Sequence, residues 1–359
     1  DKAGITRASL RRHPFPSPEI LSPADGSSIT DVAAYFKWKP VADSRRYELQ
    51  LAREPEFQNA LSAEVKGETH YLPEQLPAPG RWYWRLRAKS PAAVGEWSAV
   101  RGLTVNAHHG KAPIIRPVSK DRPLFTIEAG DRSDFRKLAR AIPEDLREYF
   151  AVVIGDKVDL PRILEPAREL GIQVMLRTHH PSPVDGWAPL AEVESVFQQF
   201  PNVIGIQGGE ALGSWYGGKE PARYIQRLVS LVLKYGRIVH EGDGCYDENK
   251  WKELYDDPVA GAMVRANPSS IVFSQKNNIF NKQLMTQSAV FGQYLAGTIG
   301  NSGAWEDGGW YWAQVGFRKL GESFGARSGR LHDMPPIFWD LTFLMGLARG
   351  ATVFSMDGQ

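Results

Sequence analysis

Short apolar segments alternate with helical patterns through the last two thirds of the chain, and this alternation most constrains the fold. The eight predicted strands are Pro123–Ile127, Phe150–Ile154, Ile172–Leu176, Val203–Ile206, Arg237–Val239, Ile271–Phe273, Gly297–Ile299 and Ala351–Phe354. Strands that alternate with helices form a parallel sheet through right-handed crossovers. Eight of them predict a (β/α)8 TIM barrel of the α/β class. An open doubly wound sheet is the alternative, although no Gly-x-Gly-x-x-Gly follows the first strand.

Helical periodicity of 3.6 residues separates these strands. The predicted helices include Pro161–Leu170, Leu190–Phe200, Pro221–Tyr235, Trp251–Val264, Lys282–Leu295 and Ile337–Arg349. The eighth strand lies at the end of the sequence, which leaves no room for an eighth helix. We therefore expect that the native chain continues or that another element covers this side of the barrel.

The segment Val203–Gly218 combines a predicted strand with a single carboxylate. Its apolar, β-branched start runs into two glycines, and Glu210 follows at once, ahead of Trp215 and Tyr216. Catalytic groups of a parallel barrel lie where its strands end. Glu210 is therefore a candidate acid or base beside a flat aromatic surface, and a solvated loop carboxylate is the alternative.

Acids and other polar groups follow the eight predicted strands, one to eight residues beyond each predicted end. They are Glu128, Asp156, Arg177 with His179 and His180, Glu210, Glu241 with Asp243, Gln275–Asn278, Trp305–Asp307 and Asp357. An acid-rich barrel mouth with aromatic walls is typical of glycoside hydrolysis, in which one carboxyl donates a proton and an ionised one activates water or attacks the sugar. Trp215, Tyr216, Trp305 and Trp310 are candidate sugar-binding surfaces, with loop packing as the alternative.

Metal chemistry is the competing interpretation. His179, His180, His240 and Asp243 are conceivable ligands of a metal-dependent barrel hydrolase. Adjacent histidines on a strand point to opposite faces, so at most one of the first two enters a site. We expect no metal and no cofactor.

An all-β module precedes the barrel. Tyr35–Lys39, Arg46–Ala52 and Arg81–Ala88 alternate at period two between turn-forming clusters, which favours a β-sandwich. The motifs Tyr83–Ala88 and Gly95–Ser98 resemble a fibronectin type III module. The predicted divisions are a leader at 1–16, a fibronectin type III-like sandwich at 17–106, a linker at 107–118 and the barrel at 119–359.

The overall composition excludes several classes of function. Lys+Arg 43 against Asp+Glu 41 leaves a net charge of +2, which gives no electrostatic case for binding nucleic acid. No apolar run approaches the length of a membrane span. Cys245 is the only cysteine, so no disulfide forms within the chain. We expect a monomer that is secreted, periplasmic or on the cell surface, with a polysaccharide or glycan as its partner.

The barrel segment from Lys120 to Asp357 resembles the catalytic barrel of glycoside hydrolase family 98. The resemblance rests on Val203–Gly218, Ile271–Phe280, Gly303–Asp307 and Gly350–Phe354 with Asp357. It implies an inverting endo-glycosidase that cleaves internal β-1,4 bonds in blood-group-type galactosides or in xylan. A carbohydrate-binding barrel that has lost catalysis is the alternative from another class.

The family pattern also implies roles for individual residues. Glu210 matches the general acid after the fourth strand, and Glu306 or Asp307, with Asp357, matches the acids that position water. This chain has Asp357 where the family pattern leads us to expect Glu, which shortens the reach of that carboxylate. The residues considered for hydrogen bonds to substrate are Glu128, Arg177, His179, Asp243, Lys276 and Asn277.

Overall fold

A computed structural model of the protein describes residues 15–128, 135–155, 160–178, 188–209, 215, 220–243, 248–277, 283–307 and 343–357. The chain divides into two compact units. One consists of Asp1–His108 with Pro189–Glu192, and the other of His109–Ala188 with Val193–Gln359. In the parts of the chain that the structure describes, no helix is both long and apolar enough to cross a membrane.

The first unit consists of two β-sheets. Its strands are β1 (Ile20–Ser22), β2 (Ser27–Thr30), β3 (Phe36–Trp38), β4 (Arg46–Ala52), β5 (Leu61–Lys66), β6 (His70–Tyr71), β7 (Gly80–Ser90), β8 (Ala93–Val94) and β9 (Arg101–Asn106). One sheet has the order β1-β3-β6, and the other has the order β2-β9-β7-β4-β5, with β8 paired to β7. The predicted all-β module is confirmed, and its two sheets are those that a fibronectin type III-like sandwich requires.

Aromatic side chains fill the space between these two sheets. Strand β7 alternates at period two, so that Trp82, Trp84, Leu86 and Ala88 are buried while their neighbours are partly exposed. The ring of Phe36 on β3 meets Trp84 edge-on at 4.8 Å between centroids. Contact between strands of different sheets is what makes this unit a sandwich.

The second unit is a closed parallel barrel. Its strands are β10 (Leu124–Glu128), β11 (Phe150–Gly155), β12 (Gln173–Thr178), β13 (Val203–Gly209), β14 (Ile238–Asp243), β15 (Ile271–Asn277), β16 (Ser302–Asp307) and β17 (Ala351–Asp357). Each strand pairs with the next, and β17 pairs with β10. This last pairing confirms the barrel and excludes the open sheet.

Helices follow most of the barrel strands. They are α1 (Phe135–Ala141), α2 (Leu160–Glu169), α3 (Leu190–Gln199), α4 (Glu220–Lys234), α5 (Glu248–Asp256), α6 (Ala260–Ala266) and α7 (Gln283–Leu295), and residues 343–348 are also helical. In α4, an acid and a proline begin the helix and Lys234 ends it, which suits the helix dipole. Buried apolar residues on one side of α4 pack it against the barrel.

Two predicted elements differ from the structure. The seventh strand is β16, not Gly297–Ile299, because the true strand begins with small residues and ends in acids, a pattern that is typical of a loop. The single helix predicted at Trp251–Val264 is instead α5 and α6. Asp257 separates them, since its side chain accepts hydrogen bonds from the backbone of Val259 and Ala260 and so starts a new helix after Pro258.

The barrel interior changes in polarity along the strands. An apolar layer near their amino ends contains Val118, Leu124, Ala151, Val153, Met175, Ile204, Ile238, Val272 and Val353. Two residues further along four of the strands, and three residues further along β13, buried polar side chains form what we call the polar layer. Its members are Thr126, Gln207, His240, Ser274 and Ser355. A barrel that becomes polar towards its carboxyl end is prepared for chemistry at that end.

Candidate active site

The carboxyl ends of the barrel strands bring several of the predicted site residues to one mouth. Glu128, Asp243, Asp307 and Asp357 are the last residues of β10, β14, β16 and β17, and Lys276 and Asn277 end β15. In the register of β16 and β17, Asp307 lies directly opposite Asp357, and Glu306 lies opposite Met356. The strands therefore reach further than predicted, and these acids belong to the strand ends rather than to the loops beyond them.

A buried ion pair occupies one side of the mouth. Arg177 on β12 donates from Nη1 to Glu128 Oε2 at 2.5 Å. The Glu128 side chain is 6% exposed and the Arg177 side chain is 26% exposed, so the arginine reaches solvent and the carboxylate does not. Charge-assisted bonds of this kind hold an arginine in a fixed direction. The two predicted substrate contacts are thus brought together, with Arg177 as the accessible partner.

The polar layer lies directly beneath this ion pair. The Gln207 amide donates to Ser355 Oγ at 3.2 Å and points at Glu128 Oε1 at 3.5 Å, the long limit of a hydrogen bond. Thr126 Oγ1 donates to the same Ser355 oxygen at 2.8 Å. These contacts join β10, β13 and β17 across the interior.

His240 continues the polar layer on the other side of Gln207. Its Nδ1 lies 3.2 Å from Gln207 Oε1, and its Nε2 contacts Ser274 Oγ. Burial lowers the pKa of His240 to about 3, so the ring is neutral near pH 7. Because Gln207 Oε1 only accepts, Nδ1 carries the ring proton, and Nε2 accepts from the Ser274 hydroxyl.

These contacts bear on the metal alternative. Both ring nitrogens of His240 have protein hydrogen-bond partners, which leaves neither for a metal ion. Within the described residues, no group of three or more His, Cys, Asp or Glu side chains is arranged to hold a metal. His179 and His180 lie outside the described residues.

Trp305 does not form the predicted sugar-binding surface. It has no exposed surface, and its indole lies 5.3 Å from the His240 ring, tilted by 31°. The indole also occupies the space that a side chain at Gly242 would fill. Trp305 is therefore a wall of the polar layer that keeps water from the histidine, and the prediction for its role is corrected.

Trp215 is also corrected from a sugar-binding to a packing role. It is buried, and its ring lies 6.0 Å from Phe273 on β15. Phe273 and the inward-facing Ser274 point to opposite sides of their strand, so this contact is on the outer side of the barrel. The Trp215 carbonyl accepts a hydrogen bond from the side chain of Gln226 of α4 at 3.0 Å, which links this residue to the helix.

Glu241, one of the acids predicted at the mouth, is instead buried on the outer side of β14. It follows His240, whose ring points inward, and it is 2% exposed. Its carboxylate lies where a side chain at Gly208, its partner on β13, would otherwise be. The first glycine of the Gly208–Gly209–Glu210 run thus has a packing role.

Several other predictions lie outside the described residues or their side chains. Glu210, His179, Tyr216 and Trp310 fall in segments that the structure does not describe. Sequence analysis missed Thr126, Gln207, Ser274 and Ser355 altogether. One pattern in the sequence could have revealed them, because each is a polar residue within an otherwise apolar strand. A polar group buried in such a strand needs a hydrogen-bond partner.

Comparisons with known proteins agree with this architecture. Residues 116–359 match the family model of glycosyl hydrolase family 98. The fold is similar to the catalytic module of a family 98 glycoside hydrolase from Streptococcus pneumoniae TIGR4. In its native form, that structure matches with a TM-score of 0.57 and 19% identity, covering 69% of this chain and 48% of that chain.

The same Streptococcus module has been solved with glycans. Its complex with the LewisY pentasaccharide blood group antigen matches with a TM-score of 0.55 and 19% identity, covering 68% of this chain and 48% of that chain. Its complex with the H-disaccharide blood group antigen matches with a TM-score of 0.55 and 20% identity, covering 69% of this chain and 48% of that chain. This chain thus spans about half the length of these structures, and identities this low show the fold alone. No protein with a curated function matches the sequence.

Proposed function

Because the chain belongs to glycoside hydrolase family 98, we propose that it cleaves internal β-1,4 glycosidic bonds of a glycan with inversion at the anomeric carbon. Glu210 donates a proton to the leaving oxygen. An ionised pair, Asp307 with Asp357, takes a proton from the water that attacks the opposite face of the sugar. Each bond cleaved consumes one water, and no cofactor takes part.

The single observation that carries this assignment is the pairing of Asp307 with Asp357 at the ends of β16 and β17. Two adjacent carboxylates can share one water molecule between them. Glu210 follows Gly209, the last residue of β13, and β13 is four strands away from β17 in a barrel of eight. An acid and a base on opposite sides of the mouth suit inversion, which needs roughly 6.5–9.5 Å between the carboxyl groups.

Strand alternation favours Asp307 over its neighbour Glu306. Asp307 is two residues from Trp305, which lies in the interior beside His240, and Asp357 is two residues from the interior Ser355. Positions two apart on a strand share a face, whereas Glu306 has the opposite parity. We assign the base to the Asp307–Asp357 pair on this ground.

Arg177, held by Glu128, is the proposed anchor for sugar hydroxyls at the floor of the mouth. His179, Tyr216, Lys276 and Trp310 remain candidate substrate contacts. Asp243 and Asn277 are weaker candidates, because they have the strand parity of the outward-facing Glu241 and of Glu306. Substrates of this class are extracellular polymers or surface glycans, so we propose that the protein acts outside the cytoplasm. Its first candidate substrates are blood-group-type galactosides, which the Streptococcus structures hold, followed by xylan and sulfated galactans.

Glu210→Gln tests the mechanism. The amide cannot donate the proton that the leaving group needs, so turnover should fall by about a hundredfold or more while glycan binding is retained. Wild type and variant are compared on the LewisY pentasaccharide, β-1,4-xylan and a sulfated galactan, with products separated by length and the anomer of the first product read by proton NMR. A product that retains the anomeric configuration contradicts inversion, and unchanged turnover removes Glu210 from the mechanism.

Matched variants at the base complete the test. Asp307→Asn should abolish turnover, and Glu306→Gln should leave it within about threefold of wild type, because only the former removes a carboxylate from the proposed pair. The reverse result assigns the base to Glu306. If wild type binds a glycan of the panel and cleaves none, the protein is a carbohydrate-binding barrel.

A further inference from the structure

The strongest feature that the proposed mechanism leaves unused is the chain of buried hydrogen bonds through the polar layer. Ser274, His240 and Gln207 come from three adjacent strands, and all three are fully buried. We propose that these residues form a positioning relay that sets the direction of Arg177 through Glu128, and thereby the affinity of the site for its glycan. The proposal rests on the proposed function, since it concerns the same mouth.

Each donor in the relay points the same way along the chain of contacts. The Ser274 hydroxyl donates to His240 Nε2, His240 Nδ1 donates to Gln207 Oε1, and the Gln207 amide donates towards Glu128 Oε1. Glu128 then accepts from Arg177 Nη1 at 2.5 Å through its other oxygen. Both carboxylate oxygens of Glu128 are thus engaged, one by the relay and one by the arginine.

The relay fixes an amide whose orientation would otherwise be ambiguous. A glutamine can exchange its oxygen and nitrogen by rotation, and with the opposite orientation Gln207 would present its oxygen to the carboxylate of Glu128. The carboxylate of Glu128 and a proton on His240 Nδ1 both favour the observed orientation, because the carboxylate needs a donor and the ring proton needs an acceptor. The neutrality of the buried ring, whose pKa is about 3, keeps Nε2 as an acceptor for Ser274.

Trp305 and Ser355 hold two members of the relay, His240 and Gln207, in place. The indole of Trp305 covers one face of the His240 ring. Ser355 accepts the second amide hydrogen of Gln207 at 3.2 Å and is itself held by Thr126. With its neighbours fixed, Gln207 has few alternative rotamers, which is the condition for precise placement of a charged pair at a site.

Two substitutions of His240 separate the relay from simple packing. Asn places its amide nitrogen near the position of Nδ1 and keeps the donor to Gln207, whereas Gln places a polar group near Nε2 and leaves Gln207 Oε1 without that donor. His240→Asn should keep KM within about threefold of wild type. His240→Gln should raise KM about tenfold, the effect of losing one hydrogen bond, with kcat nearly unchanged.

The kinetic assays use the member of the glycan panel that wild type cleaves. Gln207→Met, which keeps the side-chain length but removes the amide, should raise KM as His240→Gln does. Val272→Ala, in the apolar layer below Ser274, is the control for lost stability and should lower the melting temperature without changing KM. If His240→Asn and His240→Gln raise KM equally, or if KM follows melting temperature across all four variants, the relay is overturned.

A second readout needs no substrate and so separates failure of the relay from failure of the proposed function. In protein with 15N-labelled histidine, the signals absent from His240→Asn belong to His240, and their shifts report which nitrogen carries the proton. A neutral ring protonated on Nδ1 from pH 5 to 8 is expected. A ring protonated on Nε2, or on both nitrogens, overturns the relay, whether or not any glycan of the panel is cleaved.

Discussion

At the scale of single residues, His240 makes the stability of the barrel depend on pH. Burial lowers its pKa from 6.5 to about 3, so between these values the unfolded chain binds a proton that the folded protein does not. Stability therefore rises with pH across this range, by at most about 1.4 kcal/mol per pH unit. With respect to this group, the folded protein is most stable above about pH 6.5, and this part of its stability is lost as the pH falls towards 3.

This dependence predicts the behaviour of His240→Asn, which has no ring to protonate. The melting temperature of the full chain should be lower in the variant at pH 7, because the contact with Ser274 and the ring packing against Trp305 are lost, and the gap to wild type should narrow by pH 4. Differential scanning calorimetry of wild type and variant at pH 7 and pH 4 measures the difference in melting temperature at each pH. A gap that stays constant would show that His240 does not contribute to acid destabilisation.

Single residues also mark the limit of what the sequence predicts about the site. The positions of Glu128 and Asp357 near strand ends follow from periodicity and from parallel topology, whereas that of Asp307 does not, because its strand was predicted too early in the chain. The contact of Gln207 with His240 does not, because their side chains meet only through the register of β13 and β14. The burial of Trp215 and Trp305 was equally out of reach, since an aromatic residue near a strand end has the same local pattern whether it faces substrate or core.

At the scale of elements, the close packing of β14 against Trp305 gives a stability prediction. A methyl group at Gly242 would run into the indole, which is fully buried and has nowhere to move. Gly242→Ala should therefore destabilise the protein by about 1–3 kcal/mol, the usual effect of overpacking. Chemical denaturation of the full chain, monitored by tryptophan fluorescence, measures the change in the free energy of unfolding.

Gly292 in α7 provides the matched control. It is exposed, and a methyl group added there would meet nothing within 4 Å. Because alanine loses less backbone entropy in a helix, Gly292→Ala should stabilise by about 0.5–1 kcal/mol. If both substitutions shift the unfolding midpoint in the same direction, the loss at position 242 cannot be assigned to the indole.

Element boundaries show why strands with chemical roles are hard to predict. β14 continues four residues past its predicted end at Val239, through His240 to Asp243, and β16 was placed too early. In both, polar residues extend an apolar strand into the mouth, and the apolar pattern that predicts strands stops where the site begins. The break at Asp257–Pro258 was detectable, since a residue before proline disfavours helix.

At the scale of the whole molecule, the pairing of β10 with β17 closes the barrel. Phe125 stacks on Phe150 and Phe354 at 5.3 and 5.2 Å, so aromatic contacts on the outer side accompany the backbone pairing of β10 with both neighbours. The alternation of elements was sufficient to reduce the fold to a parallel barrel or an open parallel sheet, because few topologies accommodate eight parallel strands with short connections. Only the register between first and last strand distinguishes the barrel from an open sheet.

Closure predicts that the barrel depends on its last strand. A variant that ends at Gly350 lacks β17 and leaves unpaired edges on β10 and β16. We expect it to lose the near-ultraviolet circular dichroism of the barrel, whereas a variant that ends at Asp357 keeps every strand pairing and retains it. Limited proteolysis should cut the shorter variant throughout the barrel. A barrel that resists the protease without β17 would show that the fold does not depend on its last strand.

The seam between β10 and β17 also has a consequence for the protein while it is being made. Thr126 and Ser355, which hydrogen-bond across this seam, are 229 residues apart in the chain. At roughly 5–20 residues per second, the ribosome adds the second about 10–45 seconds after the first. For that interval the edge of β10 is open to pairing with other chains. Asp357 arrives with β17, so the nascent protein gains its proposed water-binding pair only as this exposure ends.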